Sequence, residues 1–379
     1  MSDEEKANMF QVMLRDLQIE GTPLLDCDAD QVHTLQTALW TTMAELCDQD
    51  DAQKVCLVLS SIPIAALQSF VNDFFLLKMQ NVEQMKDLPE LDRLTASVLG
   101  KGVGPAIVLE VSAKNTNDKS SSNSDNDAAA AAGDAAAYLP SKVYNEFACA
   151  AAHKGFVERV VRGSSPSGNS AATIGLGDEG LGPGDAVYRF TNQHSVCNIM
   201  AFFWNCVCEV LVAPETDVPN MVLQLPAIEK HARFAAITHL LSRSLCLYQG
   251  DAVLSLVHFH PEYQRDEIDP ADKPAFGHLP PTGWVQPMMR AAGMDDSVLT
   301  ESNKDLLNYQ HRAPVCAVHI LRNNLLGDPK VVDIVLDDGT AVQASGLETY
   351  ATNAEQLVGI GDGPLREALT QEVNMANSV

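Results

Sequence analysis

At 379 residues the chain is long enough for two domains at roughly 100–200 residues each, and a hydrophobic content of 46% supplies core material for both. That composition excludes disorder throughout. The 50 Asp and Glu against 25 Lys and Arg leave a formal charge of −25. Such a field repels phosphate backbones and anionic lipid, so neither nucleic acid nor a membrane surface is an expected partner.

The chain opens Met1-Ser2-Asp3-Glu4-Glu5, without the basic start of a targeting segment, and no apolar run reaches a span of about 20 residues. Nine cysteines with no C-x-x-C pair read as reduced thiols, and the expected location is cytoplasmic. In the first hundred residues Leu35, Leu39, Met43 and Leu46 recur at three- and four-residue spacing. The segment Val55–Val71 repeats the pattern across a break at Ile62-Pro63, and Phe74, Leu76, Leu77 and Met79 continue it. These are helical core stripes, and Ala106–Val111 reads as a short strand. The expected domain is a mainly helical N-terminal region over 1–113.

Residues 114–137 are Ser/Asn/Asp tracts and Ala runs, which bury too little apolar area to offset ordering entropy. A disordered linker is expected there. Within Gly163–Gly184, Gly175, Gly177 and Gly180 spell G-x-G-x-x-G. No strand leads into them, as a dinucleotide site requires, so the segment reads as loop.

Residues 138–350 form the expected working domain. Cys208–Ala213 reads as a strand stopped by Pro214, Ile228–Leu247 as a helix, and Ala252–Phe259 as a strand buried on both faces. Strand, helix and strand make a crossover unit. Val315–Leu326 after Pro314 reads as a helix, and Val331–Leu336 with Thr340–Gln343 as a hairpin turning at Asp338-Gly339. A helical tail over 351–379 follows. The fold class is α/β (or α+β), a mixed sheet with flanking helices, preceded by the mainly helical N-terminal domain.

Chemistry gathers at the end of the best strand, in His258-Phe259-His260-Pro261-Glu262-Tyr263-Gln264. His258 and His260 alternate onto one face of a strand. Later comes Asn308-Tyr309-Gln310-His311-Arg312-Ala313-Pro314. A helix after Pro314 would bring His319 and Arg322 onto one face and place Arg312 beside its N-terminus, a setting for an anion. A metal site built from His258, His260 and His311, with His319 or Glu262 as alternatives, would suit zinc or iron. Structurally, Tyr263, Gln264, Asn308 and Arg312 would hydrogen-bond loop carbonyls. Cys316 beside His319 is a candidate nucleophile.

These motifs, with His319-Ile320-Leu321-Arg322, resemble domain-of-unknown-function family 1415, whose pattern runs F-H-P-x-Y-Q, then N-Y-T-N-R-S-P, then L-H-L-L-R. The resemblance covers about 140–326, chiefly 205–326. It implies that Phe259, His260, Pro261, Tyr263, Gln264, Asn308, Arg312, Pro314, His319 and Arg322 are the positions to examine. The chain departs from the family at His258, where the family has Ser, and in a longer 266–305 segment. The family name implies no activity.

The functional expectation is an enzyme or binding protein for a small anionic metabolite bearing phosphate or carboxylate. His260 and His319 would transfer protons. Arg312 and Arg322, with Asn308, Tyr263 and Gln264, would bind the ligand, and the sequence does not specify a cofactor. The alternatives are a metal-dependent hydrolase with the zinc or iron site above, and a non-catalytic scaffold that engages a protein partner through 1–113.

Overall fold

The computed structural model describes residues 24–26, 32–48, 51–58, 65, 67–69, 71–72, 88–99, 106–112, 142–160, 186–247, 250–264, 280–325, 331–345 and 347–378. The expected 114–137 linker, the Gly163–Gly184 segment with its glycine pattern, and the Phe74, Leu76, Leu77 and Met79 stripe all lie outside those residues. The protein is a mixed α/β structure in two units. The first comprises Met1–Leu139, Gln193–Glu209 and His239–Tyr248; the second comprises Pro140–Asn192, Val210–Thr238 and Gln249–Val379.

In the first unit, β1 (Leu24–Asp26), β2 (Gln53–Val58), β3 (Leu94–Leu99) and β4 (Ala106–Val111) form a sheet of order β1-β2-β4-β3. Helix α1 (Val32–Cys47) joins β1 to the parallel β2, and β4 runs antiparallel to both of its neighbours. The Leu35, Leu39 and Met43 stripe lies buried on α1, together with Trp40. The expected helix over Val55–Val71 is corrected at its start. Val55, Cys56 and Leu57 are buried in β2, because a strand inside a sheet is apolar on both faces and carries no period to read.

The second unit contains the 15-residue helix α2 (Glu146–Val160) and strand β5 (Val187–Phe190). Helix α3 (Val196–Val212), β6 (Asn220–Gln224), α4 (His231–Leu247) and β7 (Leu254–Phe259) follow along the chain. After α5 (Thr282–Ala291) comes β8 (Ala317–Arg322). The sheet order is β5-β6-β8-β7, with β5 parallel to β6 and β8 antiparallel to both neighbours. The crossover is therefore β6-α4-β7, with β8 inserted between its two strands.

Two sequence expectations change here. Cys208–Ala213 is the end of α3, whose Val207, Val210 and Val212 imitate strand composition within a 17-residue helix. The helix expected over Val315–Leu326 is replaced by β8 at Ala317–Arg322, paired with a strand on each side and buried along its length, and by a short 3-10 turn at Asn323–Leu325. The Val318, His319 and Arg322 of that strand fell at helical spacing by coincidence in a run that is apolar on both faces.

The hairpin of β9 (Val331–Val335) and β10 (Ala341–Ser345) turns as expected, with Gly339 at φ 86°. The C-terminal helices α6 (Leu347–Ile360) and α7 (Asp362–Ala376) meet at Gly361, φ 79°, whose N–H returns to the Leu357 carbonyl. That left-handed residue closes α6 at little steric cost. Both helices belong to the second unit. Ala351, Leu357 and Leu365 share a core with Phe156, Val222 and Phe259, and Arg159 of α2 pairs with Glu372 of α7 at 2.8 Å.

The two sheets repeat one plan. Strand order and strand directions are the same, and a helix joins the first two strands of each. When Ala106–Val111 is set on Ala317–Arg322, the pairings make Val58 equivalent to Gln224 and Leu99 to Phe259. The parallel pairing likewise makes Asp26 equivalent to Phe190. All four strands thus end in the same register.

Candidate functional site

Side chains alternate across a strand, so the pairing register sorts the candidates of the second unit by face. Val257 lies opposite His319, and Val222 lies opposite His319 on the other side. Those residues share one face with Tyr188, Phe259, Asn220 and Gln224. His258, paired with Val318, and Arg322 lie on the other face. His319 and Arg322 are therefore separated by the sheet, because the helix expected to unite them is a strand. His260 leaves the end of β7 towards α4, where its ring meets those of His231 and Phe234 at 5.1 and 5.2 Å.

Both arginines are engaged by the protein. Arg322 donates to the Val218 carbonyl at 3.0 Å and the Ala213 carbonyl at 2.8 Å, and also to the Val210 carbonyl in the last turn of α3. It thereby satisfies helix-end acceptors with a cation, which the helix dipole favours. Arg312 forms a two-pronged pair with Asp305 at 2.7 and 2.8 Å, donates to the Tyr263 carbonyl at 3.1 Å, and lies over the Tyr309 ring. Its hydrogen bonds hold the Asp305 carboxyl below the usual carboxylate range. Asn308 also donates to Asp305, at 3.0 Å. No helix follows Arg312, so the helix-end anion setting expected for it is absent. The His260 N–H donates to the His311 carbonyl at 3.1 Å, and the Gln264 N–H reaches towards His231 Nε2 at 3.5 Å. Of the four residues in the structural reading, Arg312 bonds a loop carbonyl, while Asn308 bonds the Asp305 carboxylate instead.

The His258, His260 and His311 set does not converge. His311 stacks against Phe259 and Tyr263, with ring centroids 5.1 and 4.8 Å away. Among the described residues, no three His, Cys, Asp or Glu side chains are placed to hold a metal ion. Cys316 is buried, donates to the Ile228 carbonyl at 2.9 Å, and is pushed well above the ordinary thiol range by burial, the opposite of an activated nucleophile.

What the structure brings together is a pair that the sequence did not announce. His153 of α2 faces His319 of β8, Nε2 to Nε2 at 3.1 Å, and both rings are buried. Burial drives the His153 pKa down to about 3 and takes His319 well below its ordinary value, with His153 and His311 disfavouring its charge further. Two neutral imidazoles share such a contact only if one donates and the other accepts. One ring then has a bare Nδ1 acceptor and the other an Nδ1–H donor.

Neither Nδ1 meets a hydrogen-bond partner among the described residues. Gln224 and Asn220, buried diagonally on either side of His319 at about 7–8 Å between Cα atoms, leave Gln224 Oε1 and Nε2 and Asn220 Oδ1 likewise without partners. A buried polar atom left so costs about 1–3 kcal/mol. Phe156, Tyr188 and Phe259 wall His153 at 5.6–6.0 Å, an apolar surround that sharpens every hydrogen bond within it.

Sequence reasoning found His319 but missed His153, Asn220 and Gln224. His153 sits in an Ala-rich helix with no motif around it. The signal for the other two was available: Asn220-Met221-Val222-Leu223-Gln224 puts two polar residues four positions apart in an apolar run, on one face of a strand.

Comparison with family models, with curated proteins and with solved structures finds no match to this chain. The internal repeat supplies the comparison instead. In the first sheet, Val108 stands at the position of His319, Val58 at that of Gln224, and Lys54, paired with Glu110 at 2.9 Å, at that of Asn220. The fold is built there without the polar set.

Proposed function

We propose that the second unit binds a small polar metabolite at the His153–His319 pair, with Asn220 and Gln224 as further hydrogen-bonding groups. An acid group of that ligand enters together with a proton. The observation that carries the reading is the first sheet, which closes the same four-stranded plan with Val108 and Val58 at the corresponding positions. A polar set that the fold does not require, with five side-chain atoms that find no partner among the described residues, is a set for something else.

The arginine-held anion expected from sequence changes its form accordingly. Arg312 and Arg322 are committed elsewhere, so neither supplies the charge that would hold a carboxylate or phosphate at the histidine pair. Its own charge raises the imidazole pKa in the low-dielectric surround, and binding draws in a proton. Proton exchange between paired imidazoles is then the chemistry the site offers. Kinship with family 1415 is part of the proposal. Its support is that the F-H-P and N-Y-Q-H-R motifs are bonded to one another through His260, His311, Tyr263 and Arg312.

The test is a thermal-shift screen of the full chain against small carboxylic acids and phosphate monoesters at pH 6 and pH 8. A ligand that stabilises more strongly at pH 6, and fails to stabilise His319→Val, is the expected result. A hit that shifts His319→Val equally, or a panel that shifts neither protein, overturns it.

A further inference from the structure

Independently of the ligand site, the first unit holds two cysteines in closer contact than ordinary packing produces. Cys47 Sγ, at the end of α1, lies 3.1 Å from Cys197 Sγ, in the first turn of α3. That is inside the sum of the sulfur van der Waals radii, and both side chains are buried. We propose that Cys47 and Cys197 are a modification site, a reversible disulfide formed by reaction with a low-molecular-weight disulfide of the glutathione class.

A disulfide needs sulfurs about 2.05 Å apart, so closure asks for roughly an ångström of side-chain movement. The two residues are 150 positions apart in the chain, so the bond would close a long loop, the case in which a cross-link constrains the unfolded chain most. The thiols are also unequal. The contact with Cys197 lowers the Cys47 pKa against the effect of burial; Arg93 lowers it further, while Glu90 and Asp48 oppose it. Cys47 is thus the attacking sulfur and Cys197 the resolving one.

Electrons and protons balance as follows. Cys47 thiolate attacks one sulfur of the small disulfide, whose S–S bond breaks and releases one thiolate. The Cys197 thiol then gives up its proton, its sulfur attacks Cys47 Sγ, and the second small thiol leaves. Two protein thiols are oxidised by two electrons, and one small disulfide is reduced to two thiols.

The native full chain is equilibrated with reduced and oxidised glutathione until Cys246, half-buried, is modified and so reports that the oxidant has reached the protein's thiols. It is then alkylated and mapped by non-reducing mass spectrometry. A peptide pair joined through Cys47 and Cys197, absent from Cys47→Ser and reversed by dithiothreitol, is expected. The unfolding midpoint should rise by roughly 5–10 °C on oxidation. Glutathione retained on Cys47 alone, linkage of either residue to another cysteine, or both thiols free when Cys246 is modified would each overturn the assignment.

Discussion

Acid should weaken the second unit well before its carboxylates titrate. His153 is held neutral by burial, with a folded pKa of about 3 against 6.5 for the free side chain. Its folded pKa is depressed, so below pH 6.5 the unfolded chain binds a proton that the folded chain refuses. Stability is therefore full above pH 6.5 and is lost as pH falls towards 3. Linkage puts the loss for one such group at about 2 kcal/mol between pH 8 and pH 5. His260, also lowered to about 3 and chiefly by burial, adds about as much again, and His319 acts in the same direction. The total, about 4 kcal/mol or more, is a large part of a domain's stability.

Trp284 is the second unit's only tryptophan, so urea unfolding followed by its fluorescence in a Trp40→Phe/Trp204→Phe background isolates that unit. His153→Leu should remove about 2 kcal/mol of the pH dependence. A wild-type free energy that stays flat from pH 8 to pH 5 would show that these imidazoles titrate as if in water. A His153→Leu profile parallel to wild type would move the dependence elsewhere. Either result refutes the reasoning.

Three further outcomes follow from the bonds described. Arg312→Ala removes the two-pronged pair with Asp305 and the bond to the Tyr263 carbonyl; it should cost about 1–2 kcal/mol in urea unfolding while ligand binding at His153 and His319 persists. Arg322→Met strips the donors from three carbonyls between Val210 and Val218. A loss of about 3 kcal/mol is expected in the same assay, and Arg322→Lys should recover part of it. Glu372→Gln removes the carboxylate that pairs with the Arg159 guanidinium, whose side chain is 8% exposed. That should lower stability by about 3 kcal/mol, read as a fall in the thermal midpoint.

Much of the second unit was legible because its elements carry one clear period. The α4 stripe, the β7 run ended by Pro261 and the Asp338-Gly339 hairpin stand where periodicity and turn chemistry put them. The failures lie in local composition. A strand in the middle of a sheet is apolar on both faces, so β8 imitates a helix, and the β-branched Val207, Val210 and Val212 let the end of α3 imitate a strand. One error then propagated to the site. Reading Val315–Leu326 as a helix joined His319 to Arg322 and created an arginine pocket that the sheet divides. His153 was illegible for a different reason, since its partner lies 166 positions away and no local pattern encodes that meeting.

Two sheets of one plan in a single chain raise a problem of address during folding. β2 could pair with β8, or β6 with β4, in the correct register and with the correct polarity, and repeats joined in one chain are prone to such exchange. Lys54 and Glu110 label the first sheet against it. They meet across β2 and β4 at 2.9 Å, whereas Asn220 meets Leu321 at the same rung of the second. An exchanged sheet would set Lys54 against Leu321 and Glu110 against Asn220, and the pair would be lost. The ion pair, modest as a source of stability, thus works as an address that tells each strand which copy it belongs to.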